Sequence, residues 1–568
     1  MSEYLYLEAV NLGGVIDDTE DLSTRRAGGY MLLKLVHKVK LDCATWLDDI
    51  SVGASQGLFA LKAGQRMAQA REQVMRVLKQ DLYAQATVLV ADTVTDGHPE
   101  SPGQYPFVAA REHLKAVVRR RQLNTLSWVT DFGQAPMAAA AGGKPPAAVC
   151  EIDAVRPATQ QMHLKSEDNL RWQKSEDNLR WHSHSVAERR KEGRELRQAF
   201  YGRELNSFPD VNCLAKDEYF TDHFEELSSH RQDERGVLRP TLDRKIAVFY
   251  ADGDGFGALA RCCKTAQDLK VWDATVQTQR RTFLAALLQL LDQHPHGRSS
   301  ERHTQRGNPK PKALRVETLM WGGDEFRLVL PAWLGFEAAH LFFKTCNVEW
   351  PAGTRRGHSA ALVFAHHNAP ISQLDRLSKT LAEQGKTGRY KGHDSLHWIV
   401  LESFDHAGTA VHDDGHAWWR QRGLPQLNWD CMALNPPRIQ TLMEHLPKVA
   451  DALPRRNLYR LLDLLPRWAA AVDDEKRLVR QSYDNLHAAT AADDCRAAWR
   501  LCWKALQPGG PPGDLEWPDV QTLHDDFAKP EHLNAWLTLA ELWDYLLPCL
   551  AADVAGETKT DASAEGST

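Results

Sequence analysis

The stretch "FYADGDGFGA" (residues 249–258) places two acids, separated by a single glycine, at the end of an apolar run. The apolar residues predict a buried strand, and Gly255 and Gly257 predict a tight turn into a helix. A carboxylate removed from water is costly unless it finds a partner. Asp252 and Asp254 therefore predict a cation or a hydrogen-bond donor nearby. A glycine-rich turn before a helix also predicts room for a phosphate.

A second acidic motif lies downstream in "LRVETLMWGGDEFRLVLP" (residues 314–331). Two β-rich segments flank a Gly-Gly pair that predicts a tight hairpin, with Asp324 and Glu325 at or beside its turn. If this hairpin neighbours the first strand, Asp324 meets Asp252 at one edge of a sheet. Carboxylates completed by water and phosphate oxygens are common ligands of Mg²⁺ in phosphoryl-transfer sites. We therefore predict a site for Mg²⁺ or Mn²⁺.

The chain of 568 residues is too long for one core and predicts three or four domains. With 43% apolar residues, 25% charged residues and a net charge of −6, it is expected to be soluble and globular, so any nucleic-acid binding must come from local basic patches. No apolar run reaches the length of a membrane span, and Met1 is not followed by a signal-like segment, so we expect a cytoplasmic protein without membrane contact. The ten cysteines contain no CxxC pair, which indicates reduced thiols rather than a zinc site.

Composition and periodicity divide the chain into five segments. The first alternates strand-like and helix-like pieces, the second is charged, the third carries both acidic motifs, and the fourth is rich in Trp and Leu with helical periodicity. The last is a polar tail that we expect to be disordered. The predicted segments are 1–150 (first α/β lobe), 151–240 (charged linker and helices), 241–403 (second α/β lobe), 404–550 (helical domain) and 551–568 (tail).

The charged segment contains an exact repeat, "KSEDNLRW", at 165–172 and again at 174–181. If this segment is one helix, nine residues turn the second copy by roughly 180°, so Trp172 and Trp181 cannot share one buried stripe. We therefore predict a tolerated duplication in an exposed segment rather than a binding repeat. The helix predicted next, at 185–201, is expected to expose its charges to solvent.

The DGDGFG turn followed by GGDEF resembles the nucleotidyl-cyclase palm shared by GGDEF diguanylate cyclases and the large polymerase/cyclase subunit of type III CRISPR effector complexes. The resemblance covers residues 245–402. Within it, 357–403 is more similar to the CRISPR branch, with a serine-bearing strand, a proline and a Lys-bearing helix. Residues 17–36 resemble, more weakly, the catalytically silent first palm of that branch. The resemblance implies an α/β (α+β) fold with two ferredoxin-like palm lobes, the second active, and a C-terminal helical domain.

The resemblance also assigns roles to individual residues. It implies that Asp252, the backbone of Gly253 and Asp324 hold the metal. Glu325 would complete the catalytic set by assisting metal binding or by deprotonating the attacking 3′-hydroxyl. The residues implied to contact the nucleotide are Gly253, Gly255, Phe256, Gly257, Gly322 and Gly323, with Lys379 and Lys386 both candidates for the phosphate-binding lysine.

The implied function is a nucleotide cyclase or polymerase that makes a cyclic or oligonucleotide messenger in CRISPR-type antiviral defence. The guanine-reading Asn and Asp of diguanylate cyclases have no counterpart in "ALARCCKTAQD" (258–268), which favours ATP over GTP. Two alternatives remain: a diguanylate cyclase, and a non-catalytic scaffold that binds RNA or partner proteins. The implied partners are a nucleoside triphosphate, RNA or CRISPR-type effector subunits, and a second copy in a homodimer or larger complex.

Two further segments carry expectations about metal and RNA. "CEIDAVRPA" (150–158) resembles the start of a zinc module that lies between the two palms, but Asp153 stands where a second cysteine would be, so we expect no metal there. The loop at 294–312 is basic, and it either contacts RNA or nucleotide phosphates or is a solvated insertion.

Overall fold

The computed structural model describes most of the chain. The described residues are 2–80, 82–96, 106–125, 149–163, 179–303, 309–346, 357–387, 390–402, 432–450, 455–464, 473–489, 493–506 and 530–549. The first repeat copy and the tail predicted at 551–568 lie outside them.

The first lobe is built on a four-stranded antiparallel sheet. Its strand order is β2-β3-β1-β4, and each neighbouring pair is antiparallel. This βαββαβ arrangement is ferredoxin-like. The elements are β1 (Tyr4–Val10), α1 (Leu22–Asp42), β2 (Leu47–Val52), β3 (Gln56–Leu61), α2 (Met67–Leu78), β4 (Thr87–Asp92) and α3 (Pro106–Asn124).

A hairpin and a long helix connect the two lobes. The elements are β5 (Gln160–His163), β6 (Leu179–His182), α4 (His184–Glu204), α5 (Pro209–Asn212) and α6 (Phe224–Ser228). β5 and β6 pair antiparallel, with Gln161 opposite Trp181. The second repeat copy therefore ends in a strand rather than a helix. Because Trp181 is only 2% exposed, the expectation of an exposed segment is wrong at this end.

The charges of α4 are not all on a solvated face, in contrast to the sequence prediction. Arg189 is fully buried and pairs with Asp18 at 2.7 Å. Arg197 is 1% exposed and pairs with Asp217 at 2.6 Å. Charge patterning alone did not indicate these pairs, because both acids lie outside the helix.

Deleting one repeat copy is expected to have an effect that depends on which copy is removed. Removal of 165–173 leaves the residues that enter β6 unchanged. Removal of 174–182 instead places Trp172 at the position of Trp181 and Gln173 at the position of His182. His182 is buried and its Nδ1 contacts the Arg180 carbonyl oxygen. We expect the first deletion to change the unfolding free energy by less than about 0.5 kcal/mol and the second to lower it by about 1–3 kcal/mol. Denaturant titration of both variants measures this, and a large loss from the first deletion would contradict it.

The second lobe repeats the order of the first and extends it. Its sheet runs β10-β11-β7-β12-β13-β14, and the first four strands have the ferredoxin-like order. β13 lies parallel to β12 after the connecting helix α10, and β14 adds a strand from beyond residue 404. The elements are β7 (Lys245–Gly253), α7 (Phe256–Cys262), α8 (Ala266–Gln293), β8 (Arg302–His303), β9 (Pro309–Lys310), β10 (Glu317–Trp321), β11 (Phe326–Pro331), α9 (Gly335–Thr345), β12 (His358–His366), α10 (Ile371–Gly385), β13 (Ser395–Val400) and β14 (Ala433–Leu434).

β7 is central in this sheet and is covered by helices. Residues 246–251 are fully buried, which explains the unbroken apolar run in the sequence. Phe249 packs against Phe283 of α8 and Phe342 of α9, with ring centroids 6.3 and 5.7 Å apart. A central, fully covered strand gives the acids at its end a rigid base.

The two lobes pack reciprocally, because the long first helix of each covers the second strand of the other. α1 packs on β10, and α8 packs on β2. A Cβ at Gly29 would lie 2.9 Å from the Leu319 carbonyl oxygen, so this close approach requires glycine. Asp273 of α8 accepts hydrogen bonds from the Ser51 hydroxyl and the Val52 amide.

A buried ion pair crosses the interface between the lobes. Arg26 of α1 donates from Nε and Nη2 to the carboxylate of Glu317 in β10, at 2.8 and 2.6 Å. The two side chains are 4% and 2% exposed. Arg197 of α4 lies 3.6 Å from the same carboxylate. Since a buried charge is costly without a partner, this pair holds the lobes in one relative position.

Apart from β14, which joins the sheet of the second lobe, the described C-terminal segment is mainly helical, as its periodicity predicts. Trp503 packs against Trp499 and Trp536, with ring centroids 5.7 and 4.9 Å apart, so these tryptophans form core. The α/β fold class is confirmed. Within the described residues, no helix is both long and apolar enough to cross a bilayer. The helices are α11 (Pro436–Ala450), α12 (Arg455–Leu464), α13 (Asp473–Ala489), α14 (Asp493–Leu506) and α15 (Pro530–Leu546).

Candidate active site

Asp252 lies at the end of the central strand β7, between β11 and β12. The register pairs Ala251 with Phe326 of β11 and Asp252 with Ser359 of β12. Phe326 directly follows the β10–β11 hairpin. The acids of that hairpin therefore lie beside the end of β7.

The β10–β11 hairpin has only Gly323 and Asp324 at its tip, between the hydrogen-bonded Gly322 and Glu325, in agreement with the tight hairpin that the Gly-Gly pair predicts. Trp321 pairs with Phe326, and the Gly322 amide donates to the Glu325 carbonyl oxygen at 2.8 Å. A Cβ at Gly322 would lie 3.1 Å from that oxygen. Asp324 and Glu325 are consequently part of the loop itself, and both are half-buried.

The carboxylates of the two motifs lie within electrostatic range of one another. Burial and, next, the charge of Asp252 raise the pKa of Asp324 to about 6. Burial also raises the pKa of Asp252, to which Glu325 contributes. Like charges gathered in a half-buried site repel each other, and a cation relieves this repulsion.

Lys386 is the lysine that the structure places at these acids. It caps the C-terminal end of α10, and its Nζ forms an ion pair with Asp252. Lys379, the other candidate, lies two turns earlier on α10 with its side chain exposed. The structure therefore brings Lys386, and not Lys379, to the end of β7.

Glu325 is held by two neighbours that the sequence reasoning did not identify. The Tyr250 hydroxyl donates to its Oε1 at 2.9 Å, and the Arg327 guanidinium lies 3.7 Å from the same oxygen. Burial and the Glu325 charge raise the pKa of Tyr250, so this hydroxyl stays protonated and continues to donate. Both neighbours could have been found from β-strand alternation, because Tyr250 precedes Asp252 by two residues and Arg327 follows Glu325 by two.

The turn after β7 is shaped by glycines and by Phe256. Gly255 has φ of 70°, which favours glycine, and a Cβ at Gly253 would lie 2.4 Å from the Phe256 ring. Phe256 itself is buried against Trp272, with ring centroids 5.4 Å apart. A Cβ at Gly257 would lie 3.8 Å from its nearest neighbouring atom, and a Cβ at Gly323 would have no atom within 4 Å. Gly257 and Gly323 therefore leave space for a ligand, whereas Gly253 and Phe256 pack on each other.

Asp254, the second acid of the first motif, lies in the turn that follows β7. It is 5% exposed and accepts a hydrogen bond from the Ser359 hydroxyl at 2.7 Å. Burial raises its pKa. Ser359 belongs to the serine-bearing strand noted in the sequence, and here it satisfies a buried carboxyl group.

A buried ion network links the site to the first lobe. Arg327 lies 3.3 Å from Asp375 of α10. Asp375 also pairs with Arg25 of α1, which lies 2.9 Å from Asp17. Because Arg327 also neighbours Glu325, first-lobe residues support the position of a hairpin acid. No local pattern indicated this network, since its members are far apart in sequence.

The first lobe has no acids at the topologically equivalent positions. β1, which corresponds to β7, is followed by Asn11, and the β2–β3 hairpin contains Gly53, Ala54 and Ser55. A Cβ at Gly322 would lie 3.7 Å from the Ala54 Cβ, so the two hairpins meet.

The carboxylates at this site fit a cation that takes its remaining ligands from water or from a bound molecule. Among the described residues, no group of three or more His, Cys, Asp and Glu is spaced to hold a metal ion by itself. Asp252 and Asp324 supply two carboxylates that are close enough to interact electrostatically. Mg²⁺ commonly uses one or two carboxylates and completes its shell with water and phosphate oxygens.

Asp153, at the zinc-like segment, is used in hydrogen bonds. It accepts from the amides of Val155 and Arg156, both at 3.0 Å, and from the Ser183 hydroxyl at 3.1 Å. The Arg156 guanidinium also donates to it at 2.9 Å. In the zinc module that this segment resembles, the turn would hold a metal. In this chain the Asp153 carboxylate and the Arg156 guanidinium close it.

The basic loop is partly a small hairpin. β8 and β9 pair at Arg302 and Lys310, and Arg298 donates to the Asp292 carboxylate at 2.8 Å. Residues 304–308 lie outside the described part. A role in RNA contact stays a prediction.

Comparison with known proteins finds structural neighbours only. No protein-family model matches the chain, and no curated protein sequence matches it. The solved structures that resemble it include Csm1 chains. The Csm1 of T. onnurineus superposes with a TM-score of 0.47 at 13% identity, over 96% of this chain and 69% of that one.

Two further neighbours are Csm1–Csm4 cassettes with bound nucleotides. A cassette in complex with cA4 has a TM-score of 0.39 at 13% identity, over 71% of this chain. A cassette with one ATP has a TM-score of 0.39 at 12% identity, over 70% of this chain. In both, the match spans 54% of the neighbour, about half its length. All these TM-scores lie below 0.5, so the functional argument rests on the residues of the site.

Proposed function

We propose that the chain is a metal-dependent nucleotide cyclase or polymerase that converts nucleoside triphosphates, with ATP favoured, into a cyclic or oligonucleotide messenger. The observation that carries the proposal is the convergence of Asp252, Asp324 and Glu325, from two separate motifs, beside Lys386 at the end of one strand. Three acids and one lysine around open glycines suit a metal–triphosphate complex.

Mg²⁺ or Mn²⁺ would be held by Asp252, the Gly253 carbonyl and Asp324. When bound, it would stabilise the negative charge that develops on the α-phosphate and the leaving pyrophosphate. The closeness of the two carboxylates supports this assignment. Burial and, next, the charge of Asp252 raise the pKa of Asp324, and a divalent cation would relieve the repulsion between them.

The chemical step would be an in-line attack of a 3′-hydroxyl on the α-phosphorus. The bond from the 3′-oxygen to the α-phosphorus forms as the bond to the pyrophosphate oxygen breaks. Glu325 would take the hydroxyl proton or assist metal binding, and Tyr250 and Arg327 hold it in orientation. Both contacts come from the same sheet, which fixes the carboxylate before the nucleotide arrives.

Lys386 would exchange its partner when the nucleotide binds. Without nucleotide it pairs with Asp252. A triphosphate carries more negative charge than one carboxylate and would attract the ammonium group, which releases Asp252 to bind the cation. Nucleotide binding and metal binding are therefore expected to reinforce each other.

We expect the protein to use ATP at least as well as GTP. Discrimination in favour of guanine needs polar groups that pair with its edge, and a site without them does not reject adenine. The segment after Gly257 offers the small or apolar side chains of Ala258, Leu259 and Ala260. The measurement is kcat/KM for both nucleotides with the same metal. A preference for GTP above about tenfold, roughly 1.4 kcal/mol, would instead indicate a diguanylate cyclase.

The experiment that tests the activity is incubation of the purified protein with each nucleoside triphosphate and Mg²⁺ or Mn²⁺, followed by mass spectrometry of the products. Cyclic or linear oligonucleotides together with pyrophosphate are the expected result. If RNA or partner proteins copurify with the protein and no product forms, the alternative function as a non-catalytic scaffold would be favoured. A role in CRISPR-type defence, with RNA and effector subunits as partners, follows from the sequence resemblance and forms part of the proposal.

A further inference from the structure

The short helix α7, which starts within the glycine-rich turn of the candidate active site (Gly253–Gly257), is weakly packed. It has seven residues, and of these only Phe256 is buried. It is also separate from α8, because Cys263 is extended and Thr265 begins α8 with a capping box of its own. A helix of two turns is not stable by itself in water. Contacts with other elements must therefore fix the position of α7.

The C-terminal end of α7 is held by Arg111, which belongs to α3 of the first lobe. Its Nη1 donates to the carbonyl oxygens of Ala260 and Cys263, at 2.9 and 3.4 Å. Its Nη2 donates to the carbonyl oxygen of Arg261 at 3.0 Å. The last carbonyl groups of a helix lack partners within the helix, and the helix dipole favours a positive charge beside them. One guanidinium group thus caps α7 and holds the residue that follows it.

Arg111 is itself fixed in the core of the first lobe. The residue is 3% exposed, and its Nε donates to the Glu112 carboxylate at 2.9 Å. Its guanidinium carbon lies 5.6 Å from the centroid of the Phe107 ring. That ring packs edge-on against Tyr4 of β1, with centroids 5.5 Å apart. The cap on α7 is therefore attached to the packed interior of the first lobe.

We propose that Arg111 is a positioning residue for nucleotide binding, through which the first lobe holds α7 and the glycine-rich turn in the shape that accepts the nucleotide. The inference rests on the proposed function, in which Gly257 and the side chains that follow it border the nucleotide. Arg111 acts through α7, because its guanidinium is buried and already bonded to the helix. Without this cap, nucleotide binding would have to order α7, which weakens binding.

The loss is expected to fall on binding more than on the chemical step. The acids proposed to bind the metal lie on β7 and the β10–β11 hairpin, and neither element depends on the cap of α7. Arg111→Met should therefore raise the KM for ATP about tenfold and keep kcat within about twofold of the parent protein. Arg111→Lys keeps the charge but cannot bridge three carbonyl groups, so its KM should rise about threefold.

Arg121→Met is the matched control, because Arg121 lies on the same helix and also binds a carbonyl group. It donates to the carbonyl oxygen of Val90 and, at 2.5 Å, to the carboxylate of Asp96, both within the first lobe. Its KM should stay within about twofold of the parent value. A purely structural role of Arg111 would reduce the amount of active protein, and thus the apparent kcat, without a change in KM.

Hydrogen exchange of α7 in the protein without nucleotide gives a second measurement that does not depend on activity. Arg111→Met should raise the exchange rate of the α7 amides about tenfold, and Arg121→Met should leave it unchanged. If Arg111→Met does not fold, Arg111→Gln takes its place with the same expected results.

An unchanged KM in an active Arg111 variant would overturn the proposal and leave the proposed function intact. Equal exchange rates of α7 in the parent protein and the variant would overturn it as well. A parent protein without turnover would instead contradict the proposed function, and the exchange rates would then decide whether Arg111 holds the helix.

Discussion

Replacing Asp324 with asparagine is expected to abolish pyrophosphate release, with a loss of about 1000-fold or more, roughly 4 kcal/mol of transition-state stabilisation. Asparagine keeps the size and the loop geometry but removes a charge that the proposed metal requires. The measurement is pyrophosphate production from ATP at saturating Mg²⁺. Asp48→Asn, at an exposed carboxylate of the first lobe, is the matched control and should retain full activity.

The same substitution should not lower stability. Burial and Asp252 raise the pKa of Asp324 to about 6, above its value in an unfolded chain, so the charged form opposes folding at pH above 6. Removal of the charge is therefore expected to leave the unfolding free energy at pH 7.5 unchanged or to raise it by up to about 2 kcal/mol. A variant that keeps its activity, or that loses it only because it unfolds, would contradict the assignment of Asp324.

Arg26→Met is expected to cause the largest loss of stability, about 3–5 kcal/mol, because it leaves the Glu317 carboxylate buried without its bidentate partner. Arg197, 3.6 Å from the same carboxylate, can offset only part of this loss. The double variant Arg26→Met/Glu317→Gln should recover much of the loss, since no charge then remains unpaired. The measurement is the midpoint and slope of urea unfolding for each variant.

The control is an ion pair of the same chemistry on the surface. Arg76 pairs with Glu72 on α2 at 2.7 Å, and both side chains are 67% exposed. Arg76→Met should change the unfolding free energy by less than about 0.5 kcal/mol. Equal effects of Arg26→Met and Arg76→Met would show that burial at the lobe interface does not determine the strength of the pair.

The candidate site was predictable from the sequence to the extent that its residues lie in local motifs. Asp252 follows an apolar run, and Asp324 and Glu325 lie between two β-rich segments, so each could be located on a strand end or a hairpin. The choice of Lys386 over Lys379 was not predictable, because both lie on one amphipathic segment and only the tertiary structure brings Lys386 to Asp252.

The repeat and the charged helix show where local patterns misled. The repeat predicts an exposed duplication, yet Trp181 is buried and its pairing with the partner strand β5 makes it part of a hairpin. The charged residues of α4 were expected to be exposed, as is usual in a helix. Arg189 and Arg197 are instead buried, because they form ion pairs with Asp18 and Asp217. In each case a tertiary partner overrode the local preference.

The sequence by itself determined the α/β class, the two lobes, the central strand β7 and the acids at its end, because hydrophobic periodicity and turn residues act over a few neighbouring positions. Only the tertiary structure decided how the lobes face each other, which lysine reaches Asp252, and how Arg327, Asp375 and Arg25 connect the hairpin to the first lobe. These contacts join residues far apart in the chain, and their free energy depends on burial and on paired charges that exist only once both lobes have folded and packed.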